Sequence, residues 1–139
     1  MSEGGNGRAW RATLLFCLTL PLLVYAPAAS QPVDDRDAIS PRQMINAIDA
    51  FDDHEVVVRG HLSFGSQTRQ LWQSEQARRD LDFDECITLI NTEKFAPLLR
   101  QRNGSTLVLL GIARRDASAG YVDYGSCNDV GVEIIRVIR

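Results

Sequence analysis

The sequence predicts a mainly β fold closed into a small barrel, and three observations predict it. In "EVVVRGHLSF", Val56, Val58, Leu62 and Phe64 fall on one face at a period of two, and Gly60 stands where an inward side chain belongs. In "STLVLLGIARR", Gly111 interrupts a second apolar run from Leu107 to Ala113 in the same way. A glycine inside a strand marks a bulge or sharp bend, and two long strands each carrying one describe a sheet that curls rather than lies flat. The third observation is the closing run, Val130 to Ile138, which is β-branched and nearly all apolar.

The remaining elements follow in chain order. Arg8 and Arg11 precede an uncharged apolar run from Ala12 to Tyr25, and Ala26-Pro27-Ala28 then offers small residues where a signal peptidase reads, so residues 1–28 are expected to be a signal peptide. A retained membrane anchor is the alternative, but Pro21 and Pro27 interrupt the run and no basic cluster follows it. After cleavage no stable membrane span is expected. Residues 29–38, polar and acidic, read as a flexible leader. Ser40-Pro41 then supplies an N-cap and a first-turn proline, and Met44, Ile45, Ile48 and Phe51 share a helical face, predicting a helix from Pro41 to about Phe51. "RQLWQSEQARR" and "ECITLIN" read as two shorter strands. "TEKFAPLLRQRNGS" reads as a short helix that buries Phe95, Leu98 and Leu99 and ends at Asn103-Gly104. Residues 39–139 are thus expected to form one domain of helix, three strands, short helix and two strands.

Composition restricts the function. A formal net charge of −3, which becomes more negative once Arg8 and Arg11 leave with the signal segment, makes a poor trap for phosphate backbones, so nucleic acid is an improbable partner. Of the three cysteines, Cys17 lies in the signal segment, and Cys86 and Cys127 remain; in an oxidising compartment two such thiols most simply pair. A periplasmic or secreted location is therefore expected.

The segments "VVVRGHL", "LWQS", "CITLI", "LVLLGIA" and "VEIIRVI", with the helix between the third and fourth, resemble the OB-fold as seen in small exported bacterial proteins, many of them uncharacterised. The resemblance covers about residues 55–139 and implies a five-stranded Greek-key barrel in which a "V-x-V-x-G-x-L" strand opens and a "V-x-I-x-x-I" strand closes. It also implies that the third and fifth strands run parallel and adjacent, which sets Cys86 beside Cys127 and makes a bridge worth roughly 4 kcal/mol on the chain-entropy model. Ligands of OB-folds bind across the second and third strands, flanked by the first-to-second and fourth-to-fifth loops. The residues so placed are Phe64, Gln67, Arg69 and Trp72 on one side and Tyr121 and Tyr124 on the other, a surface on which a saccharide, a peptide or an envelope protein could stack.

Other chemistries find less support. His54 and His61 are the only histidines, His61 alternates outward on the first strand, and nothing sets either beside a cysteine as a thiol–imidazole pair needs. Two isolated cysteines and two isolated histidines lack zinc spacing. "DLDFDE", Asp80 to Glu85, opens like a calcium loop, but the pattern then wants glycine at Glu85 and a carboxylate at Asn91, leaving a solvated acidic edge. Asp52 and Asp53 read as a solvated helix end. No metal or cofactor is expected. The sequence therefore points to an exported, non-catalytic binding or accessory module, with a periplasmic enzyme or metal-dependent protein, its site assembled only in three dimensions, as the alternative.

Overall fold

A computed structural model describes residues 35–118 and 127–139. Residues 1–34, which include the expected signal peptide and most of the expected leader, and Tyr121 and Tyr124 lie outside the described residues. The fold is mainly β: five strands form a closed barrel, accompanied by a few short helices. Helices α1 (Pro41–Asn46) and α2 (Ile48–Phe51) precede β1 (Glu55–Phe64) and β2 (Arg69–Trp72). Helix α3 (Glu75–Asp80) follows, then β3 (Cys86–Ile90), α4 (Ala96–Gln101), β4 (Thr106–Arg114) and β5 (Gly131–Val137). Around the barrel the order is β1, β2, β3, β5, β4, with β4 pairing back onto β1. Every pairing is antiparallel except β3 with β5, which is parallel.

The period-two pattern fills the interior. Val56, Val58, Leu62 and Phe64 of β1 meet Leu71, Ile87, Leu89, Leu107, Leu109, Val132 and Ile134 in one cluster, closed at its ends by Met44 and Leu99 from the helices. The two strand glycines have a steric cause. A Cβ on Gly60 would lie 2.6 Å from the Trp72 carbonyl oxygen and 2.7 Å from Leu71 Cγ, and one on Gly111 would lie 2.5 Å from the Glu133 carbonyl oxygen. The backbone of the neighbouring strand thus passes through the space a side chain would need, which is how so few strands close without a void. At Gly111 the β4–β5 register also shifts, as a bulge does.

Local sequence explains the helices. Ser40 and Gln43 form a reciprocal capping box, the Gln43 N–H donating to Ser40 Oγ at 3.3 Å and the Ser40 N–H donating to Gln43 Oε1 at 2.8 Å. The run expected as one helix from Pro41 to Phe51 is broken at Ala47, whose φ of −122° and ψ of 26° leave the helical region. A larger departure concerns "RQLWQSEQARR", expected as strand throughout. The strand stops at Trp72; Ser74 Oγ accepts from the Ala77 N–H at 3.1 Å and starts a helix, which Arg79 supports by an ion pair to Glu75 one turn earlier. In α4, Leu99 is fully buried as expected but Leu98 is 39% exposed, because a helix of six residues turns only one apolar position squarely inward.

Asp52 and Asp53 are not an idle solvated helix end. Arg115 donates its backbone N–H to Asp52 Oδ1 at 2.9 Å and pairs with Asp49 at 2.6 Å, while Arg114 pairs with Asp53 and with Glu133 at 2.7 Å. These contacts fasten α2 and the entry to β1 onto β4 and β5. The Arg115 N–H and guanidinium hold the Asp52 carboxyl below its ordinary value, against an opposing desolvation effect.

Candidate functional site

The residues expected on the binding surface separate into three places. Phe64 and Arg69 meet, because they are register partners at the end of the β1–β2 ribbon. There the tight turn, held by Gly65 N–H donating to the Thr68 carbonyl at 2.9 Å, faces the turn leading into α4. Between them lies an open cleft of about 450 Å³, lined by Phe64, Ser66, Arg69, Thr92, Glu93 and Arg100 among others. Phe64 is 7% exposed and belongs to the interior cluster, so it gives the cleft an apolar inner wall. Its position is fixed by the Phe64 N–H donating to Asn103 Oδ1 at 2.8 Å, a contact from the loop after α4. Arg69 Nη1 donates to Glu93 Oε1 at 3.0 Å across the mouth. Arg100 projects from α4 on the same side, exposed and without an ion pair among the described residues.

Trp72 is elsewhere. It is 1% exposed and faces away from the barrel interior, where it forms a second small cluster with Ala77 of α3, Cys86 and the half-buried Cys127. Phe83 covers it further, with ring centroids 5.7 Å apart and planes inclined at 46°. A ring so enclosed fills a core and presents no face on which a ligand could stack. Its indole N–H is buried without a hydrogen-bond partner among the described residues. Tyr121 and Tyr124, the third group, lie outside the described residues.

Cys86 and Cys127 form a disulfide, their Cα atoms 5.4 Å apart and 41 positions apart in sequence. The parallel pairing of β3 with β5, Thr88 opposite Gly131, brings the chain before β5 alongside the start of β3 and so sets the two cysteines together. The bridge is part of the Trp72 cluster rather than of the cleft.

Three cleft residues, Thr92, Glu93 and Arg100, escaped the sequence reading. Thr92 and Glu93 lie in the turn after β3 and Arg100 on α4, and only the packing of α4 against the barrel end brings them to Arg69. A second cavity also went unseen. His61 does point away from the interior, as its alternation implies, but it is 9% exposed because α3, read as strand, covers that side. It lines a cavity of about 380 Å³ with Arg59, Gln73, Ser74, Glu75 and Thr106.

Among the described residues, no group of three or more His, Cys, Asp or Glu side chains converges to hold a metal ion, and no helix is long and apolar enough to cross a membrane. Compared with known protein families, characterised proteins and solved structures, the chain matches none.

Proposed function

We propose that this chain is an exported, non-catalytic binding or accessory module built on an OB-like barrel, and that it takes an acidic peptide or saccharide in the cleft between the β1–β2 turn and α4. The observation that carries this reading is the convergence of Arg69, Arg100 and the polar Thr92 on one concave surface with the Phe64 wall behind it. Guanidinium groups recognise carboxylates with directional, charge-assisted hydrogen bonds, and a shallow cleft beside a strand ribbon suits an extended chain better than a compact metabolite. The strand order β1-β2-β3-β5-β4 and the parallel β3–β5 pair support the OB-like assignment, since a five-stranded Greek-key barrel is what that fold comprises. The apolar N-terminal segment and the Cys86–Cys127 bridge support export to the periplasm or beyond.

Glu93 has a definite part in this reading. Its pairing with Arg69 keeps the cleft closed to weak anions, and an acidic ligand displaces it. The test is a thermal-shift screen of the oxidised protein against glucuronate oligomers and acidic peptides, followed by titration of the best ligand. Arg100→Gln should weaken binding about tenfold or more, the size expected for losing one charge-assisted contact. Glu93→Gln should strengthen it. Binding that ignores both changes, or turnover of the ligand in place of simple binding, would reject the proposal.

A further inference from the structure

The second cavity lies on the outer wall of the barrel, and its floor is a histidine. His61 is register partner to Trp72 on one side and to Thr106 on the other, so the strands on both flanks fix its backbone. Ser74 and Glu75 at the start of α3 stand over it. The residue is 9% exposed, and among the described residues neither ring nitrogen makes a hydrogen bond. Neither nitrogen is among the side-chain atoms sealed from solvent without a partner, so the ring presents them to the cavity as free polar groups. Here the ring opens onto a cavity large enough for a small molecule.

The rest of the lining shows what that molecule offers. Arg59 contributes a guanidinium held from behind by Asp35, whose carbonyl accepts from Nη2 at 2.9 Å and whose carboxylate lies 3.6 Å from it, leaving the guanidinium's other N–H groups for a ligand. Gln73 accepts from the Arg42 N–H through Oε1 at 3.1 Å, and this leaves its amide NH₂ as a donor. Ser74 Oγ accepts from the Ala77 N–H, so the hydroxyl proton of Ser74 is available, as is that of Thr106. The one carboxylate in the lining, Glu75, is engaged by Arg79. Donors therefore outnumber acceptors, and the free acceptor capacity is that of the imidazole itself.

We propose that this cavity is a binding site for a small organic carboxylate, held by Arg59, by the Gln73 amide, by the Ser74 and Thr106 hydroxyls, and by His61 as a proton-accepting floor. The site stands apart from the cleft of the proposed function and needs none of its residues.

The charged groups that act on His61 are Glu75, Arg78 and Arg79 on α3; Arg59 on its own strand, paired with Asp35, shares the lining, and β2 and β4 present only neutral groups there, Gln73 following β2 and Thr106 opening β4. Burial lowers the proton affinity of the imidazole first, Arg78 adds to this, Glu75 opposes it and Arg79 lowers it again. The empty site thus disfavours a proton on the ring. A carboxylate in the cavity reverses that balance, raises the His61 proton affinity and draws a proton into the site. Affinity is then low above the His61 pKa of the complex, rises as pH falls by up to about tenfold per unit, and levels off below the pKa of the empty protein.

The experiment is titration of the full oxidised protein with succinate and with acetate, with glucose as the neutral control. Imidazole resonances are followed by NMR, and heat is measured by calorimetry in two buffers of different ionisation enthalpy. Succinate should move the His61 signals and not those of the exposed His54, raise the His61 titration midpoint, and bind with net proton uptake. Arg59→Gln should weaken binding about tenfold. His61→Gln, which keeps a hydrogen-bonding floor but cannot take up a proton, should flatten the pH dependence. The proposal is overturned if neither acid shifts His61 at about 10 mM, an affinity too weak to matter, or if glucose binds as well. It is equally overturned if binding proceeds without proton uptake or survives Arg59→Gln. If His61→Gln fails to fold, the proton uptake of the native protein and the Arg59→Gln titration still decide the matter.

Discussion

The barrel interior and the small cluster outside it, around Trp72, reach the same degree of burial by different means. The interior is enclosed by strands that pair all the way round, and its side chains come from every strand and from two helices. The outer cluster has three buried members, Trp72, Ala77 and Cys86, and is enclosed by a six-residue helix, one phenylalanine and a disulfide. A closed ladder needs no further fastening, because each strand is held on both sides. A patch on the outer wall has no ladder above it, and a covalent bond supplies the constraint that pairing cannot. The Trp72 indole N–H is buried and has no partner among the described residues.

Three measurements sharpen the contrast. The largest effect should come from the outer cluster's fastening. Replacing both Cys86 and Cys127 by Ala should cost roughly 4 kcal/mol in a denaturant titration, and Trp72, the one tryptophan of the domain, should become more exposed by fluorescence before the barrel unfolds. If emission and far-ultraviolet circular dichroism change together, the two regions are one cooperative unit and the distinction fails. Next, Leu109→Ala in the interior should cost about 3 kcal/mol, since a fully enclosed cavity cannot collapse, and should lower the midpoint seen by both probes equally. The smallest effect concerns surface charge. Asp52, held by Arg115 beside the barrel, and Glu75, held by Arg79 over the outer cluster, both have carboxyl pKa values lowered by hydrogen bonds to their arginines. A depressed folded-state pKa contributes stability above the unfolded value, and that stability is lost as pH falls through the folded value, so stability should decline below about pH 4. Arg115→Gln should remove part of that decline without affecting the fluorescence of Trp72.

The same contrast explains what the sequence disclosed. Gly60 and Gly111 were legible because the interior obeys a strict period of two, and a missing side chain in such a pattern stands out. Cys86 and Cys127 were legible as a pair because the apolar N-terminal run bears on the compartment. Helix α3 was not legible: it is six residues long, has one buried side chain, Ala77, and follows a strand whose residues continue into it without a glycine or proline. Missing it concealed two further facts, that Trp72 is enclosed and that His61 is roofed. The cleft was half legible. Arg69 follows from its place on the β1–β2 ribbon, whereas Arg100 belongs to a different element and comes near only through the packing of α4, which no local pattern records.

The parallel β3–β5 pair has a consequence for how the chain reaches its structure. Closing the ring requires Glu55 to find Ile112 and Thr88 to find Gly131, contacts far apart along the chain, and such topologies fold slowly because each closure fixes a long loop before it gains any contact. A chain that enters the search already bridged between Cys86 and Cys127 has the second of these closures made in advance. Refolding should then be faster from the oxidised than from the reduced unfolded chain, so that the order of oxidation and strand assembly sets how long the unpaired edges of β3 and β5 stay open to other chains.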